Sequence, residues 1–246
     1  MFLAVDIGNT SIKFGLFDGQ TLTSKFSIPT NRDETSDELR LAVGDRLSAS
    51  IEGAIVCSVV PPVRDAVTSF LREAVGVEPK FVDNSFDFGL MITYDPLESL
   101  GTDRLVAAFA AAEKYGAPVV VCSVGTATTI DVVSNDREFL GGVIAPGMGA
   151  MAEALHLKAA RLPKVDITRP DKLLGNSTVD SIRSGVYNGY FAMVSGLIAM
   201  FKKRVGGDTR VIATGGNAEL AATECDSIDV VDSDLVLRGL NALSRA

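Results

Sequence analysis

Short apolar runs and stretches of helical periodicity follow one another along the chain. In the first half, residues 2–5, 12–17 and 26–28 are apolar runs separated by Gly, Asn and Asp, which predicts three antiparallel strands. The remaining elements predicted for this half are a helix over 37–47, a strand over 54–60, a helix over 62–75, a strand over 80–82 and a helix that begins just after Gly101 and ends at Gly116.

The second half repeats this order. Its predicted elements are strands over 119–124, 128–133 and 140–144, helices over 151–161 and 179–204, a strand over 211–213, a strand over 228–231 and a closing helix. Two halves of the same order indicate an internal duplication. We therefore predict an α/β protein of two domains, residues 1–116 and 117–246, with the ligand site in the cleft between them.

One stretch resembles a membrane span. Residues 184–201 carry no charge, but they include three glycines, two serines and an asparagine, which favours a buried helix over a spanning one. The first residues are apolar but lack a basic region and meet Asp6 at once, so we do not expect a secretory signal. We predict a protein that does not enter the membrane.

Composition and charge exclude several classes of function. The 31 Asp and Glu against 23 Lys and Arg give a net charge of −8 without a basic cluster, which argues against a nucleic-acid or anionic-membrane surface. A phosphate ligand must then be held locally, by backbone amides and a metal.

The three cysteines, Cys57, Cys122 and Cys225, indicate reduced thiols in a cytoplasmic protein. A single histidine, His156, excludes a His-rich metal site and a Ser/His/Asp triad.

The turn between the first two predicted strands contains candidate phosphate ligands. Gly8 and Asn9 permit a tight turn whose amides can form an anion-binding concavity. Hydroxyls, a lysine and a carboxylate that can hold Mg²⁺ lie beside it. The run consists of Asp6, Ile7, Gly8, Asn9, Thr10, Ser11, Ile12 and Lys13. An ordinary hairpin turn with a surface lysine is the alternative.

A similar turn occupies the matching place in the second half. Residues 125–131, which include Thr126, are again rich in small and hydroxyl side chains. Two such turns in duplicated halves can face each other and hold a polyphosphate from both sides. The turn at 214–217 would add a third wall near an adenine or ribose, although Gly-Gly loops are common.

A third motif, Gly101-Thr102-Asp103-Arg104, precedes the long helix of the first half. In the structural interpretation, Thr102 or Asp103 merely caps the helix, because an acid in the first turn suits the helix dipole. In the functional interpretation, Asp103 accepts the proton of an attacking hydroxyl and Arg104 binds an anionic or polar acceptor.

Two nucleotide-binding motifs are excluded or disfavoured. The sequence has no P-loop motif. Residues 147–152 match Gly-x-Gly-x-x-Ala, but Pro146 precedes them and no parallel strand is predicted after them, which disfavours a Rossmann site.

The motifs taken together resemble type III pantothenate kinase along essentially the whole chain. The resemblance rests on the run from Asp6 to Lys13, Tyr94, and residues 101–104, 125–129, 141–147, 176–178 and 214–216. It implies two ribonuclease-H-like domains with mixed five-stranded sheets and flanking helices, the actin-like ATPase fold shared with hexokinase and heat-shock ATPases. It also implies a homodimer that uses ATP to convert pantothenate into 4'-phosphopantothenate, the first step of coenzyme A biosynthesis.

The resemblance also implies roles for individual residues. Residues 6–13 and Thr126 would bind ATP, Asp6 would hold Mg²⁺, and Asp103 would accept the proton. The pantothenate site would comprise Tyr94, Gly101, Thr102, Asp103, Arg104 and Thr178, with Thr178 supplied by either protomer. The helix with Gly185 and Gly189 would either form the dimer contact or pack inside the fold.

One position departs from the family pattern. Where the family places an Asp that binds a monovalent cation, K⁺ or NH₄⁺, this chain has Ser123. A hydroxyl can coordinate a cation only as a neutral dipole, so we expect weakened or altered activation by K⁺. This departure keeps open a non-catalytic nucleotide-binding regulator of the same fold. A kinase for another hydroxylated acid is the second alternative, because the acceptor pocket decides the substrate.

Overall fold

A computed structural model describes residues 1–47, 50–206 and 208–245, which divide into two compact units. The first unit comprises Met1–Lys114 and Asp234–Ala246, and the second comprises Tyr115–Ser233. The chain thus passes to the second unit within two residues of the boundary predicted at 116/117, and its closing segment packs with the first unit. The assignment of 1–116 and 117–246 as domains stays a prediction.

The first unit contains six strands and four α-helices in the residues described. They are β1 (Phe2–Ile7), β2 (Ser11–Asp18), β3 (Thr21–Pro29), α1 (Ser36–Val43), β4 (Gly53–Ser58), α2 (Pro61–Phe70), β5 (Pro79–Phe81), β6 (Met91–Ile92), α3 (Thr102–Tyr115) and α7 (Leu235–Leu243). The predicted helix over 37–47 ends four residues early, because a separate 3₁₀ turn follows at Gly44–Arg46.

The described part of the second unit contains five strands and three helices. They are β7 (Val119–Val124), β8 (Ala127–Val133), β9 (Glu138–Pro146), α4 (Met148–Lys158), α5 (Thr178–Val205), β10 (Arg210–Thr214), α6 (Ala218–Glu224) and β11 (Val230–Val231). α4 begins three residues before the predicted helix over 151–161, since β9 ends at Pro146 and the extended Gly147 serves as the N-cap.

The two units share one strand topology. The first sheet has the order β3-β2-β1-β4-β5, and the strands of the second unit have the order β9-β8-β7-β10-β11. In both, the first three strands are antiparallel and the next two join in parallel. The internal duplication and the predicted fold class are therefore confirmed.

Each sheet is covered by helices that the apolar pattern predicts. In the first unit, the side chains of β1 and β2 pack with those of α1 and α2, and Leu3 and Phe14 are fully buried. Burial of such side chains contributes roughly 1.5–3 kcal/mol each. In the second unit, the buried face of α5, with Tyr190 and Val194, packs on β7 and β8. The stretch at 184–201 is thus a helix that packs on the sheet, and no helix in the described residues is both long and apolar enough to cross a bilayer.

Candidate active site

The turn between β1 and β2 has the tight form predicted for it. The Gly8 amide donates to Ser11 O at 3.1 Å, and the hydroxyl of Thr30, the residue after β3, donates to Gly8 O at 2.7 Å. Asn9 and Thr10 are exposed at the tip. Because the Gly8 amide is used inside the turn, an anion would meet the exposed residues of the tip rather than Gly8.

The two isoleucines of this run have a structural role. The side chains of Ile7 and Ile12 are fully buried and belong to the core of the first unit. They face each other across the ladder that joins β1 and β2. Any contact that these two residues make with a nucleotide would therefore come from their backbone.

Asp6 and Lys13 lie at the base of the turn. They occupy paired positions of β1 and β2, and Lys13 Nζ lies 3.9 Å from Asp6 Oδ2. Burial raises the pKa of the Asp6 carboxyl to about 6, because desolvation penalises its charge; Lys13 opposes this increase and Asp103 adds to it. The two carboxyl groups, Asp6 and Asp103, are thus near enough to interact electrostatically.

Asp103 lies in the first turn of α3. Its Oδ1 accepts the Arg104 amide at 2.9 Å, and burial raises the pKa of its carboxyl, while the hydrogen bond and the Arg104 charge oppose that increase. A Cβ on Gly101 would come within 2.7 Å of the same Oδ1. Glycine at 101 therefore leaves the space in which the carboxylate is held.

Arg104 and Tyr94 form the neighbouring part of the predicted pantothenate site. Arg104 is 6% exposed, although it is charged, and its guanidinium lies 5.7 Å from the centre of the Tyr94 ring. This distance fits a cation–π contact. The structure therefore brings together Asp6, Lys13, Tyr94 and residues 101–104 within one unit.

Sequence reasoning missed Asn84, which contacts the loop that leads to this helix. Its side-chain amide donates hydrogen bonds to Leu97 O and Leu100 O and accepts one from the Thr102 hydroxyl. No motif in the sequence indicates this role, because the partners lie 13 to 18 residues away and two of them are backbone carbonyls.

The second turn lies among other loops of its own unit. The Gly147 amide donates to Thr126 O at 3.0 Å, and the Asn217 amide donates to Val124 O at 3.1 Å. Thr126 is exposed at the tip of this turn. The turn at 214–217, which the sequence suggests as a third wall, therefore lies directly against the Thr126 turn.

Ser123 occupies in β7 the position that Asp6 occupies in β1, because each lies two residues before the glycine of the following turn. Its ladder partner on β8 is Thr129. Among the described residues, the buried Thr129 hydroxyl has no hydrogen-bond partner. The oxygen atoms that could coordinate a monovalent cation here belong to neutral hydroxyls, which would bind the cation more weakly than a carboxylate would.

Thr178 lies elsewhere in the second unit, at the first position of α5. It is exposed and lines a largely apolar groove of about 1100 Å³ between α4 and α5. Thr178 therefore lies in this groove, whereas Thr126 lies in the turn between β7 and β8.

One carboxylate of the first unit fits the requirements of Mg²⁺. Within residues 1–47, 50–206 and 208–245, no group of three His, Cys, Asp or Glu could hold a metal. Mg²⁺ in phosphoryl-transfer sites needs only one or two carboxylates, because phosphate and water supply the remaining ligands. Asp6 fits this requirement, since its buried charge is poorly compensated by Lys13.

Comparisons with known proteins point to one family. A sequence model of the type III pantothenate kinase family matches residues 2–200. A type III pantothenate kinase of Paramagnetospirillum magneticum is 41% identical over 252 residues, which cover 100% of this chain and 97% of the relative. A type III pantothenate kinase of Halalkalibacterium halodurans is 36% identical over 249 residues, which cover 99% and 98%.

A solved structure supports the fold alone. The structure described as a conserved putative Baf family transcriptional activator from Campylobacter jejuni is similar with a TM-score of 0.61. It is 21% identical, and the match covers 99% of this chain and 98% of that one.

Proposed function

Since the chain belongs to the type III pantothenate kinase family, we propose that Asp103 is the proton acceptor of its reaction and that the first unit holds both the phosphates and the acceptor. The activity itself is that of the family: the protein phosphorylates pantothenate in coenzyme A biosynthesis, with ATP as the phosphoryl donor.

One observation carries the assignment of roles. The first unit places two buried or partly buried carboxyl groups, Asp6 and Asp103, within electrostatic range, with Lys13 beside one and Arg104 beside the other. Carboxyl groups with a raised pKa and a nearby cation are typical of sites that bind phosphate and move protons.

The geometry suggests how the chain performs the transfer. The primary hydroxyl of pantothenate attacks the γ-phosphorus of ATP, an O–P bond forms, and the bond from the γ-phosphorus to the bridging oxygen breaks to release ADP. The hydroxyl proton passes to Asp103, whose raised pKa makes it a stronger base than an exposed carboxylate. Lys13 stabilises the charge that develops on the phosphoryl oxygens.

Asp6 and the tip of the first turn would hold the donor. Asn9, Thr10 and Ser11 supply amide and hydroxyl donors to the phosphates, and Asp6 holds Mg²⁺ directly or through water. When bound, Mg²⁺ neutralises phosphate charge. In the second unit we propose Thr126 as a further ATP ligand, supported by its exposure at the tip of the equivalent turn.

Arg104 and Tyr94 would bind the acceptor. Arg104 is 6% exposed, so water solvates its charge poorly and a carboxylate such as that of pantothenate would interact strongly with it. The Tyr94 ring limits the positions that the guanidinium can take. This pair would orient the acceptor so that its hydroxyl reaches Asp103.

We also propose a homodimer that uses α5. The exposed face of this helix carries Gly185, Gly189, Ala192 and Gly196, and a Cβ on any of the three glycines would meet no atom within 4 Å. Small residues at this spacing permit close approach of a second helix. Thr178 at the start of α5 would then contribute to the pantothenate site from either protomer.

A cytoplasmic location fits the cysteines. Cys57, Cys122 and Cys225 are all free and buried, and none forms a disulfide. Reduced thiols of this kind are typical of a reducing compartment.

A coupled assay of ADP release tests this assignment. ADP should form only when pantothenate is present, and mass spectrometry should find 4'-phosphopantothenate as the product. Tight ATP binding without turnover would instead indicate the nucleotide-binding regulator. Turnover with another hydroxylated acid but not with pantothenate would indicate a different acceptor.

A further inference from the structure

The side-chain amide of Asn84 uses both its donors and its acceptor on one loop. Its Nδ2 donates to Leu97 O at 2.7 Å and to Leu100 O at 2.9 Å. Its Oδ1 accepts the Thr102 hydroxyl at 3.0 Å. These contacts join the segment after β5 to the segment that leads into α3.

Among side chains of this size, only asparagine can make this set of contacts. Two backbone carbonyls require two N–H donors, and the Thr102 hydroxyl requires an acceptor, which the amide supplies on one planar group. Aspartate has the same shape but would place a carboxylate oxygen against two carbonyl oxygens. The contacts are partly buried, so their loss would leave polar groups poorly paired.

The loop held by Asn84 leads directly to the acceptor site. Leu97 and Leu100 are the two ends of a turn closed by a hydrogen bond from the Leu100 amide to Leu97 O. Gly101 follows at once, and its carbonyl accepts the amides of Arg104 and Leu105 to begin α3. Asn84 thus holds both ends of the turn and the first residue of the helix.

We propose that Asn84 is a positioning residue for phosphoryl transfer. By fixing residues 97–102, it sets the direction of the first turn of α3 and so the place of the Asp103 carboxylate and the Arg104 guanidinium. Asn84 itself touches neither substrate in this scheme. The inference rests on the role proposed above for Asp103.

The test compares Asn84→Asp and Asn84→Ala with the neighbouring variant Ser85→Ala. The Ser85 amide and hydroxyl donate to Asp83 within the same turn, so Ser85→Ala is a matched control that leaves the loop at 97–102 untouched. We expect both Asn84 variants to lower kcat/KM for pantothenate by about 10- to 100-fold, because small displacements of reacting groups cost that much. The KM for ATP should change less than about twofold, which is the size of a minor perturbation.

A double-mutant cycle with Thr102 shows whether the contact transmits the effect. Thr102→Val removes the hydroxyl that Asn84 accepts, and Thr102→Ser keeps it. If the contact with Thr102 transmits part of the effect, Asn84→Ala should cost less kcat/KM in Thr102→Val than in Thr102→Ser. The loss that remains in Thr102→Val should come from the bonds to Leu97 O and Leu100 O. An Asn84→Ala that has no effect in either background would overturn the proposal.

Other outcomes also decide the matter. Kinetics of Asn84→Asp equal to those of Ser85→Ala would overturn the inference, and so would parallel increases in the KM for ATP and pantothenate that follow a loss of thermal stability. Should Asn84→Ala unfold, Asn84→Asp carries the test, since it keeps the side-chain shape. Asp103→Asn is measured beside them, because normal turnover in that variant would reject the role of Asp103 independently of Asn84.

Discussion

Lys13 Nζ lies 3.9 Å from Asp6 Oδ2, yet the pKa of the Asp6 carboxyl is raised to about 6. The Lys13 side chain is one-third exposed, so water screens its charge, whereas the Asp6 side chain is 11% exposed. Desolvation of the carboxylate therefore outweighs the attraction of its neighbour. In the absence of a bound cation, the ionised form of Asp6 destabilises the folded state.

The first prediction is that Asp6→Asn stabilises the protein while it abolishes turnover. The folded state binds the Asp6 proton more tightly than the unfolded state does, so ionisation of Asp6 costs stability as pH rises from 3.8 to about 6. Removing the charge should increase the free energy of unfolding at pH 7.5 by up to about 3 kcal/mol, the equivalent of a shift of about two pKa units. Turnover should be lost because the phosphates and Mg²⁺ lose their carboxylate ligand.

Urea unfolding at pH 7.5 and pH 4 checks this prediction. The difference between Asp6→Asn and the wild-type protein should be present above pH 6 and should fade as pH falls toward 3.8, where both side chains are neutral. A variant that is less stable than the wild-type protein at pH 7.5 would show that Asp6 has a stabilising role instead.

The second prediction concerns Asp103. Asp103→Asn keeps the shape of the side chain but cannot take a proton, so kcat should fall by about 10² to 10⁴-fold. ATP affinity should hardly change, because the proposed role of Asp103 lies on the acceptor. Initial rates of ADP release and ATP binding by calorimetry measure the two effects, and the exposed Glu98→Gln in the preceding loop serves as the control. Near-normal turnover in Asp103→Asn would remove this residue from the mechanism.

The third prediction tests the space that Gly101 leaves. A methyl group at 101 would lie 2.7 Å from Asp103 Oδ1, so the carboxylate must move in Gly101→Ala. We expect kcat to fall by about 10- to 100-fold, since a displaced base loses its alignment. The melting temperature should change little, because the atom that moves is at the end of a side chain.

Gly44→Ala is the matched control for that substitution. The nearest side-chain atom to a Cβ at 44 is Arg40 Cγ at 3.8 Å, an ordinary contact, and the backbone there is right-handed helical. Its kinetics should equal those of the wild-type protein. Equal kinetics in Gly101→Ala would show that Asp103 tolerates displacement or does not take part.

The sequence predicted the local features of the site better than the long-range ones. Apolar runs indicated the strands, helical periodicity indicated the helices, and glycine with hydroxyl residues indicated both turns, because these signals lie within a few neighbouring residues. The role of Asn84 could not be predicted, since it depends on backbone carbonyls that only folding brings near. The exposed small face of α5 was equally ambiguous, because Gly185 and Gly189 fit a buried helix as well as an open one.

The fourth prediction concerns Ser123 and monovalent cations. Ser123 lies beside the neutral Thr129 hydroxyl, so the position supplies dipoles but no formal charge from these two residues. We expect K⁺ and NH₄⁺ to raise turnover only weakly in this protein and more steeply after Ser123→Asp. Rates of ADP release at increasing K⁺, with constant ionic strength set by a larger organic cation, measure the effect. A K⁺ response in the wild-type protein as steep as in Ser123→Asp would contradict this expectation.

The fifth prediction tests the proposed dimer through α5. Gly189 is exposed and a Cβ there meets nothing within 4 Å, so Gly189→Leu should leave the fold of the protomer intact while it keeps a second helix at a distance. Light scattering coupled to gel filtration should show a dimer for the wild-type protein and a monomer for this variant, with unchanged circular dichroism. Ala42→Leu, the same kind of change at an exposed position of α1, should remain dimeric.

The kinetics of the same variant show whether the neighbouring protomer completes the site. Thr178 begins α5, so separation of the protomers should raise the KM for pantothenate if Thr178 acts on the partner's site, and ATP binding should be unaffected. A monomeric Gly189→Leu with an unchanged KM for pantothenate would assign Thr178 to its own protomer or to no site. A Gly189→Leu that stays dimeric would place the interface on another surface, because leucine cannot fit where two helix backbones approach through glycine.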